Sequence, residues 1–251
     1  MGEYLTPNID IPEGDFEIEF RGRKDILPFP RSGGSFYHLS KTSDSNNIRF
    51  CCGIWGLRST DIMQGVVYGT YIPEMGEDER LRTRMDYDPY MGTVLNRLCA
   101  QAIIGHPLTV YGKGGQTRGF LPLKDSMQCL TLAIENPPKQ GEYRVFNQLE
   151  QIYSVNELAA KVKKVGDKLG LNVTVSRVEN PRIEKEVHYY NPDHQKLLDL
   201  GYKPTHDMEA ELEQMLKDLI KYRDRIEAKK DILIPETRWD GTKRKSVVLN
   251  E

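Results

Sequence analysis

No stretch of this sequence approaches the roughly 20 consecutive apolar residues that cross a bilayer, so membrane insertion is not expected. An excess of one charge is missing too: 35 Lys and Arg stand against 37 Asp and Glu, a net charge of −2. Without a positive field there is little to hold nucleic acid or anionic lipid, and neither is an expected partner. Cysteine is scarce. Cys51, Cys52, Cys99 and Cys129 include no C-x-x-C pair, which removes the usual zinc spacing, and no metal is expected. No basic cluster precedes an apolar run at the start, so no secretory leader is expected. Absent as well is any G-x-G-x-x-G loop between a strand and a helix.

Apolar residues make up 38% and charged residues 29%, enough to bury a core. Alternating Phe16, Ile18 and Phe20, then Arg21-Gly22-Arg23, then Ile26 and Leu27 predict an exposed hairpin. The spacing predicts a helix over 35–52, a strand over 57–68 and an external loop over 70–90. A helix over 93–104 is stopped by Gly105 and Pro107, and a strand over 108–111 leads to a Gly-rich turn over 112–119. A helix over 125–134 and a strand over 143–146 follow. Ser154-Val-Asn-Glu157 is a capping box for a helix reaching about residue 169. A strand over 173–178, a short helix over 192–200 and a long last helix carrying Met208, Leu212, Met215, Leu219, Tyr222 and Ile226 complete the pattern. Strands and helices alternate, which is an α/β arrangement. Cys51, Cys99 and Cys129 fall on apolar faces of predicted helices and read as reduced, buried thiols.

Chemistry concentrates at Tyr37 and Lys41, one helical turn apart on a single face. An ammonium beside a phenol favours the phenolate, so the tyrosine can take a proton from a sugar hydroxyl. The pattern Y-x-x-x-K alone is also what an ordinary exposed Tyr–Lys contact gives. The run Gly112-Lys-Gly-Gly-Gln-Thr117 imitates a phosphate loop but lacks its spacing, and it reads as the turn that delivers Arg118.

Context goes further. Ser35-Phe-Tyr-His-Leu-Ser-Lys41, then Gln64-Gly-Val-Val-Tyr-Gly69, then Val110-Tyr-Gly-Lys-Gly-Gly-Gln-Thr-Arg-Gly-Phe120 stand in the order of the extended short-chain dehydrogenase/reductase family, whose members modify nucleotide sugars. Met1-Gly-Glu-Tyr4, Thr6-Pro-Asn8, His106-Pro-Leu-Thr109, Asn180-Pro-Arg182 and His188-Tyr-Tyr-Asn191 are similar to a sulfite-using branch of it. The resemblance implies an α/β fold: the C-terminal part of a Rossmann-like doubly wound parallel sheet plus a smaller α/β substrate-binding lobe. It implies tightly held NAD, with UDP-glucose and sulfite as substrates. The implied path is oxidation at C4, loss of water across C5–C6, addition of sulfite at C6 and return of the hydride to C4. The product is a UDP-linked sugar sulfonate for sulfolipid or sulfosugar synthesis.

By the same resemblance Tyr37 is the base, Lys41 tunes it and holds the nicotinamide ribose, and His38 is the acid that helps water leave. Gln64 lies near sugar and nicotinamide, and Val67 offers backbone to the carboxamide. Arg118 and Arg182 clamp the diphosphate, with Thr93 and Gln116 toward the nucleotide end. Met1 and Gly2 stand where related dehydratases carry Asp-Glu, a loss of negative charge that suits an approaching anion. A homodimer through the Tyr37–Lys41 helix is also implied, with Phe50, Ile54 and Trp55 available to it, in cytoplasm or in the stroma of a plastid.

These expectations divide the chain into 1–70, the remaining NAD-binding part with a hairpin insertion at about 9–30; 71–230, mainly the UDP-sugar lobe; and 231–251, a surface tail. The Gly-rich first turn and a catalytic threonine are expected upstream, in roughly 140 missing residues. Met1 is then an internal methionine of a longer protein, and this chain alone is expected to bind NAD poorly and to be inactive. Another nucleotide-sugar epimerase or dehydratase, or a non-catalytic UDP-sugar-binding fragment, stays open as an alternative.

Overall fold

The computed structural model describes residues 14–29, 31–182, 189–204, 207–234, 242 and 246–249. In chain order the first elements are β1 (Phe16–Phe20), β2 (Arg23–Leu27), α1 (Phe36–Trp55), β3 (Ser59–Gln64), β4 (Val66–Tyr68) and α2 (Val94–Ile104). Then come β5 (Leu108–Tyr111), β6 (Thr117–Pro122), α3 (Leu123–Glu135), β7 (Tyr143–Gln148), β8 (Gln151–Ser154) and α4 (Val155–Lys168). The last are β9 (Val175–Val178), α5 (Gln195–Asp199), α6 (Met208–Ile220), α7 (Arg223–Glu227) and β10 (Val248–Leu249). The chain forms two compact units, Met1–Asp61 with Pro137–Arg144, and Ile62–Asn136 with Val145–Glu251. Strands β3 and β7 pair as a two-stranded sheet.

In the first unit β1 and β2 make the expected hairpin, antiparallel, with Phe16 opposite Leu27. Its turn residue Arg21 has a positive φ of 51° beside Gly22 at 74°. Helix α1 begins at Ser35, whose hydroxyl accepts the His38 amide, and ends at left-handed Gly56. Its buried residues are Ser45 and Cys52, seven apart and so on one stripe. Cys52, not Cys51, is therefore the buried thiol; Cys51 lies one residue off the stripe and is half-exposed. Ser45 donates to Asp61 at 2.6 Å, and the Tyr143 hydroxyl donates to the same carboxylate.

The second unit packs α2 and α4 on β5, with α6 against both helices. Leu95, Leu98, Leu158, Val162, Leu212 and Leu216 form the centre of that core. Strands β5 and β9 are parallel, β10 runs antiparallel on β9, and a second sheet has the order β4-β6-β8. There β4 and β6 are parallel, and β6 and β8 antiparallel. A smaller apolar group of Leu121, Cys129, Phe146, Leu197 and Tyr202 packs around α3.

Several elements differ from the pattern read above, among them β6, whose first residues were read as part of the Gly-rich turn, and β10, which falls in the expected surface tail. The strand over 57–68 is broken at Gly65, because β3 pairs with β7 and β4 with β6. A Cβ at Gly65 would come within 2.7 Å of the Gly119 carbonyl oxygen, so the crossing point needs glycine. The last helix is two helices: the Tyr222 amide bonds the Leu219 carbonyl, a three-residue step that ends α6 before α7 starts. Strand β8 has no counterpart in the pattern, being only Gln151–Ser154 and running directly into the capping box. After α7 a 3-10 turn, Lys230–Leu233, buries Leu233 completely. Residues 1–4 lie outside the described residues. Among the described residues no helix is long and apolar enough to cross a membrane.

Candidate functional site

In the first unit the first turns of α1 carry Tyr37, His38 and Lys41, all exposed. The Lys41 ammonium lies 5.8 Å from the centre of the Tyr37 ring and 3.4 Å from Asp44. His38 Nδ1 is 2.9 Å from the Ser35 hydroxyl, and its ring meets the Tyr37 ring edge-on at 5.6 Å. Ser35 therefore caps the helix and orients the imidazole, a double use that the sequence reading did not foresee. Gly33 lies against this turn, where a Cβ would approach the His38 carbonyl carbon to 2.8 Å. A phenol, an imidazole and an ammonium on adjacent turns can exchange protons with a hydroxyl.

In the second unit Gln116, Arg118 and Arg182 line one cavity of about 70 Å³. Residues 112–116 are the turn that leads into β6 and Arg118. The turn is anchored rather than open. Its Gly112 and Gly114 amides bond the Val178 and Tyr111 carbonyls, and its Gly114 and Gln116 carbonyls accept from Asn156 and Val155 at the start of α4. Gly114 has a φ of +71°, and a Cβ there would strike the Asn156 side chain. Those two amides are therefore not available to a phosphate.

The cavity also contains Arg97 of α2, which the sequence reading missed. Arg97 is only 7% exposed. It donates to the Thr109 carbonyl at 3.0 Å and its guanidinium lies 3.8 Å above the Tyr111 ring. Its Nε is buried with no hydrogen-bond partner. Burial pulls its pKa below the usual arginine range, and the charge of Arg182 adds to that. The Gln116 side-chain oxygen is likewise buried without a donor. A buried guanidinium and two further arginines around one cavity match the chemistry of an anion with several oxygens. The signal for Arg97 was present as a charged residue on the apolar face of a predicted helix. Thr93 caps α2 by accepting the Asn96 amide, next to the cavity-lining Val94.

Gln64 and Val67 stand apart from that cavity wall. Gln64 donates to Ser126 at 3.0 Å and to Gln148 at 2.6 Å, which leaves its amide oxygen as the remaining acceptor. Val67 sits on β4, an edge strand of its sheet, opposite Leu121. Asp125 is fully buried and accepts from Tyr202 at 3.3 Å. Burial, then the charge of Asp125, pushes the Glu150 carboxyl up to about 7. Burial pushes the Cys99 thiol up to about 12 and raises Cys129 too, so neither is primed as a nucleophile. Among the described residues no group of three or more His, Cys, Asp or Glu is placed to hold a metal.

Met1, Gly2 and Glu3 lie outside the described residues. Tyr37 and Lys41, the residues expected at the ribose end of a nicotinamide cofactor, stand together on α1, and the sequence has no G-x-G-x-x-G for its diphosphate. The residues present fit one end of NAD only.

No protein-family model matches the chain. It is 54% identical over 239 residues to the chloroplastic UDP-sulfoquinovose synthase of Spinacia oleracea, covering 95% of this chain and 49% of that protein. It is 52% identical over 240 residues to the UDP-sulfoquinovose synthase of Sulfolobus acidocaldarius, covering 95% of this chain and 61% of that one. The chain thus spans about half the length of the curated relatives it matches. Among solved structures, UDP-glucuronic acid 4-epimerase from Bacillus cereus, in complex with UDP-glucuronic acid and NAD, matches with a TM-score of 0.59 at 23% identity. That match covers 78% of this chain and 55% of the epimerase. The dTDP-glucose 4,6-dehydratase DesIV from Streptomyces venezuelae matches with a TM-score of 0.57 at 19% identity, over 78% and 54%. By fold the chain is a Rossmann-type α/β protein, and by sequence it belongs with the UDP-sulfoquinovose synthases.

Proposed function

We propose that this chain is the sugar-nucleotide-handling part of an enzyme that joins sulfite to UDP-glucose, releasing water and giving UDP-sulfoquinovose. The observation that carries the reading is the convergence of Gln116, Arg118 and Arg182, with buried Arg97, on one cavity. Three guanidinium groups suit the oxygens of a diphosphate, and the donor-less Gln116 oxygen suits an N–H or O–H of the nucleotide. Gln64 offers its amide oxygen to a sugar hydroxyl.

On α1, Tyr37 takes the proton of the C4 hydroxyl, with the Lys41 ammonium 5.8 Å from the centre of its ring. A ketone at C4 acidifies the C5 proton; His38, held by Ser35, takes that proton and gives it to the hydroxyl that leaves C6 as water. Hydrogen sulfite then adds at C6, its sulfur forming the C–S bond and its proton going to C5, and the proton held by Tyr37 returns to the C4 oxygen. NAD, when bound, supplies the hydride exchange at C4. Val67 offers its edge-strand backbone to that cofactor. The exposed apolar residues of α1 favour a homodimer. The spinach relative is chloroplastic, which supports a plastid setting.

Calorimetry with UDP tests the binding half of this reading. The chain is expected to bind UDP, and Arg118→Ala or Arg182→Ala to weaken it about tenfold or more. Joining the chain to the part of the Sulfolobus relative that the match leaves out tests the chemistry. With UDP-glucose, NAD and labelled sulfite the joined protein should form a UDP-sugar sulfonate. Formation of UDP-galactose without sulfite would instead identify a 4-epimerase.

A further inference from the structure

The second unit holds another cavity, of about 660 Å³, which shares no lining residue with the Arg97 cavity. One wall comes from the loop after β4, with Thr70, Arg82, Met85 and Tyr87, and the other from α6, α7 and the residues around them. Its charges are unbalanced: Arg82, Lys221, Arg225 and Lys229 line it, against Glu79 and Asp218. Asp218 is already engaged. The Thr70 hydroxyl donates to it at 2.7 Å, while Arg82 stands at 3.6 Å and Lys221 at 3.8 Å. The Arg82 contact is too long for a hydrogen bond, and its Nη1 is buried with no hydrogen-bond partner at all. The same guanidinium lies 5.6 Å from the centre of the Tyr71 ring. Leu219 and Ile226 supply apolar wall beside these cations, and Arg225 lies 5.3 Å from the centre of the Tyr222 ring.

A pocket this size, part apolar and with one orphaned guanidinium N–H, has the makings of a small-molecule site. We infer that this cavity binds a small organic anion, its oxyanion group on Arg82 and its flat or apolar body against Tyr87, Leu219 and Ile226. Arg225 and Lys229 add attraction at the rim. The site is independent of the UDP reading and stands or falls without it.

The test uses the 251-residue chain and two dyes. One is 8-anilinonaphthalene-1-sulfonate, a sulfonate on a flat aromatic body. The other is N-phenyl-1-naphthylamine, its uncharged counterpart. Fluorescence titration should show saturable binding of the sulfonate that millimolar inorganic phosphate weakens. Arg82→Gln should weaken the sulfonate at least tenfold and Arg225→Gln about threefold, with the neutral dye unchanged. Arg225 is exposed, so its variant keeps the test decisive should Arg82→Gln disturb folding. Hydrogen exchange with the sulfonate bound should protect residues 79–87 and 218–229. Equal losses of both dyes, no loss with either variant, or protection confined to the apolar face of α1 would overturn the inference.

Discussion

Arg97 is the residue whose environment demands most. A buried guanidinium is costly unless it is paired, and its protein contacts are one carbonyl and the face of Tyr111. An anionic ligand completes it. Arg97→Gln should therefore weaken UDP by roughly ten- to a hundredfold, the scale of a lost charge-assisted hydrogen bond or two. Without ligand the same variant should leave stability unchanged or raise it, because it removes an uncompensated charge. Calorimetry and thermal melts read the two effects separately. A merely structural arginine would lower both.

Glu150 makes a prediction of the opposite kind. Burial first, then Asp125, raises its carboxyl to about 7 in the folded chain. An unfolded glutamate titrates near 4.3, so between these values the folded state holds the extra proton. Stability should then fall as pH rises from about 4.5 to 7, and level off above, as far as this group is concerned. Glu150→Gln should remove that slope and stabilise the chain at pH 8 by on the order of 1 kcal/mol, discounted for the water that reaches the carboxyl. Urea midpoints at pH 5 and pH 8 check it. A variant that keeps the same slope assigns the effect elsewhere.

Among the elements, α4 shows what a short sequence signal is worth. Ser154 accepts the Glu157 amide while Glu157 accepts the Ser154 amide at 2.7 Å. Ser154→Ala should cost about 1 kcal/mol, seen as a lower urea midpoint with unchanged slope. This box was legible because both partners lie within four residues. The hairpin, β5 and α2 were legible for the same reason: local periodicity, caps and glycines define them. What escaped was decided by distant chain. Gly65 breaks a continuous apolar run only because Gly119 crosses there, and β8 exists only because β6 is beside it. At the candidate site, Tyr37 and Lys41 were readable from a four-residue spacing. Gln116, Arg118 and Arg182 were readable only through resemblance, since about sixty residues separate the last two. Arg97 was hidden because a charge within an apolar helix pattern looks like an edge residue until the cavity is seen. The Ser35–His38 contact was hidden by the helix cap it also makes.

For the whole molecule, the decisive feature is where apolar surface remains. The first unit buries little of α1: Phe50, Ile54 and Trp55 are 63%, 62% and 66% exposed. Phe50 and Ile54 are one turn apart, so they share a face of a helix about 30 Å long. Scattered exposed apolar residues need no explanation, but an aromatic and aliphatic cluster on one face marks an association surface. A single helix pair buries less than the roughly 1,200 Å² of a stable interface, so the contact must recruit residues beyond this stripe. Exposed Phe36 and Leu39 extend the same helix toward Tyr37 and supply part of that area. The outcome expected in sedimentation is a dimer of the 28.9 kDa chain at micromolar concentration. Phe50→Glu combined with Ile54→Lys should shift it to monomer while leaving UDP affinity unchanged, because the arginine cavity lies wholly in the other unit. A chain that sediments as monomer before substitution, or a dimer that survives both charges, would place the association surface elsewhere.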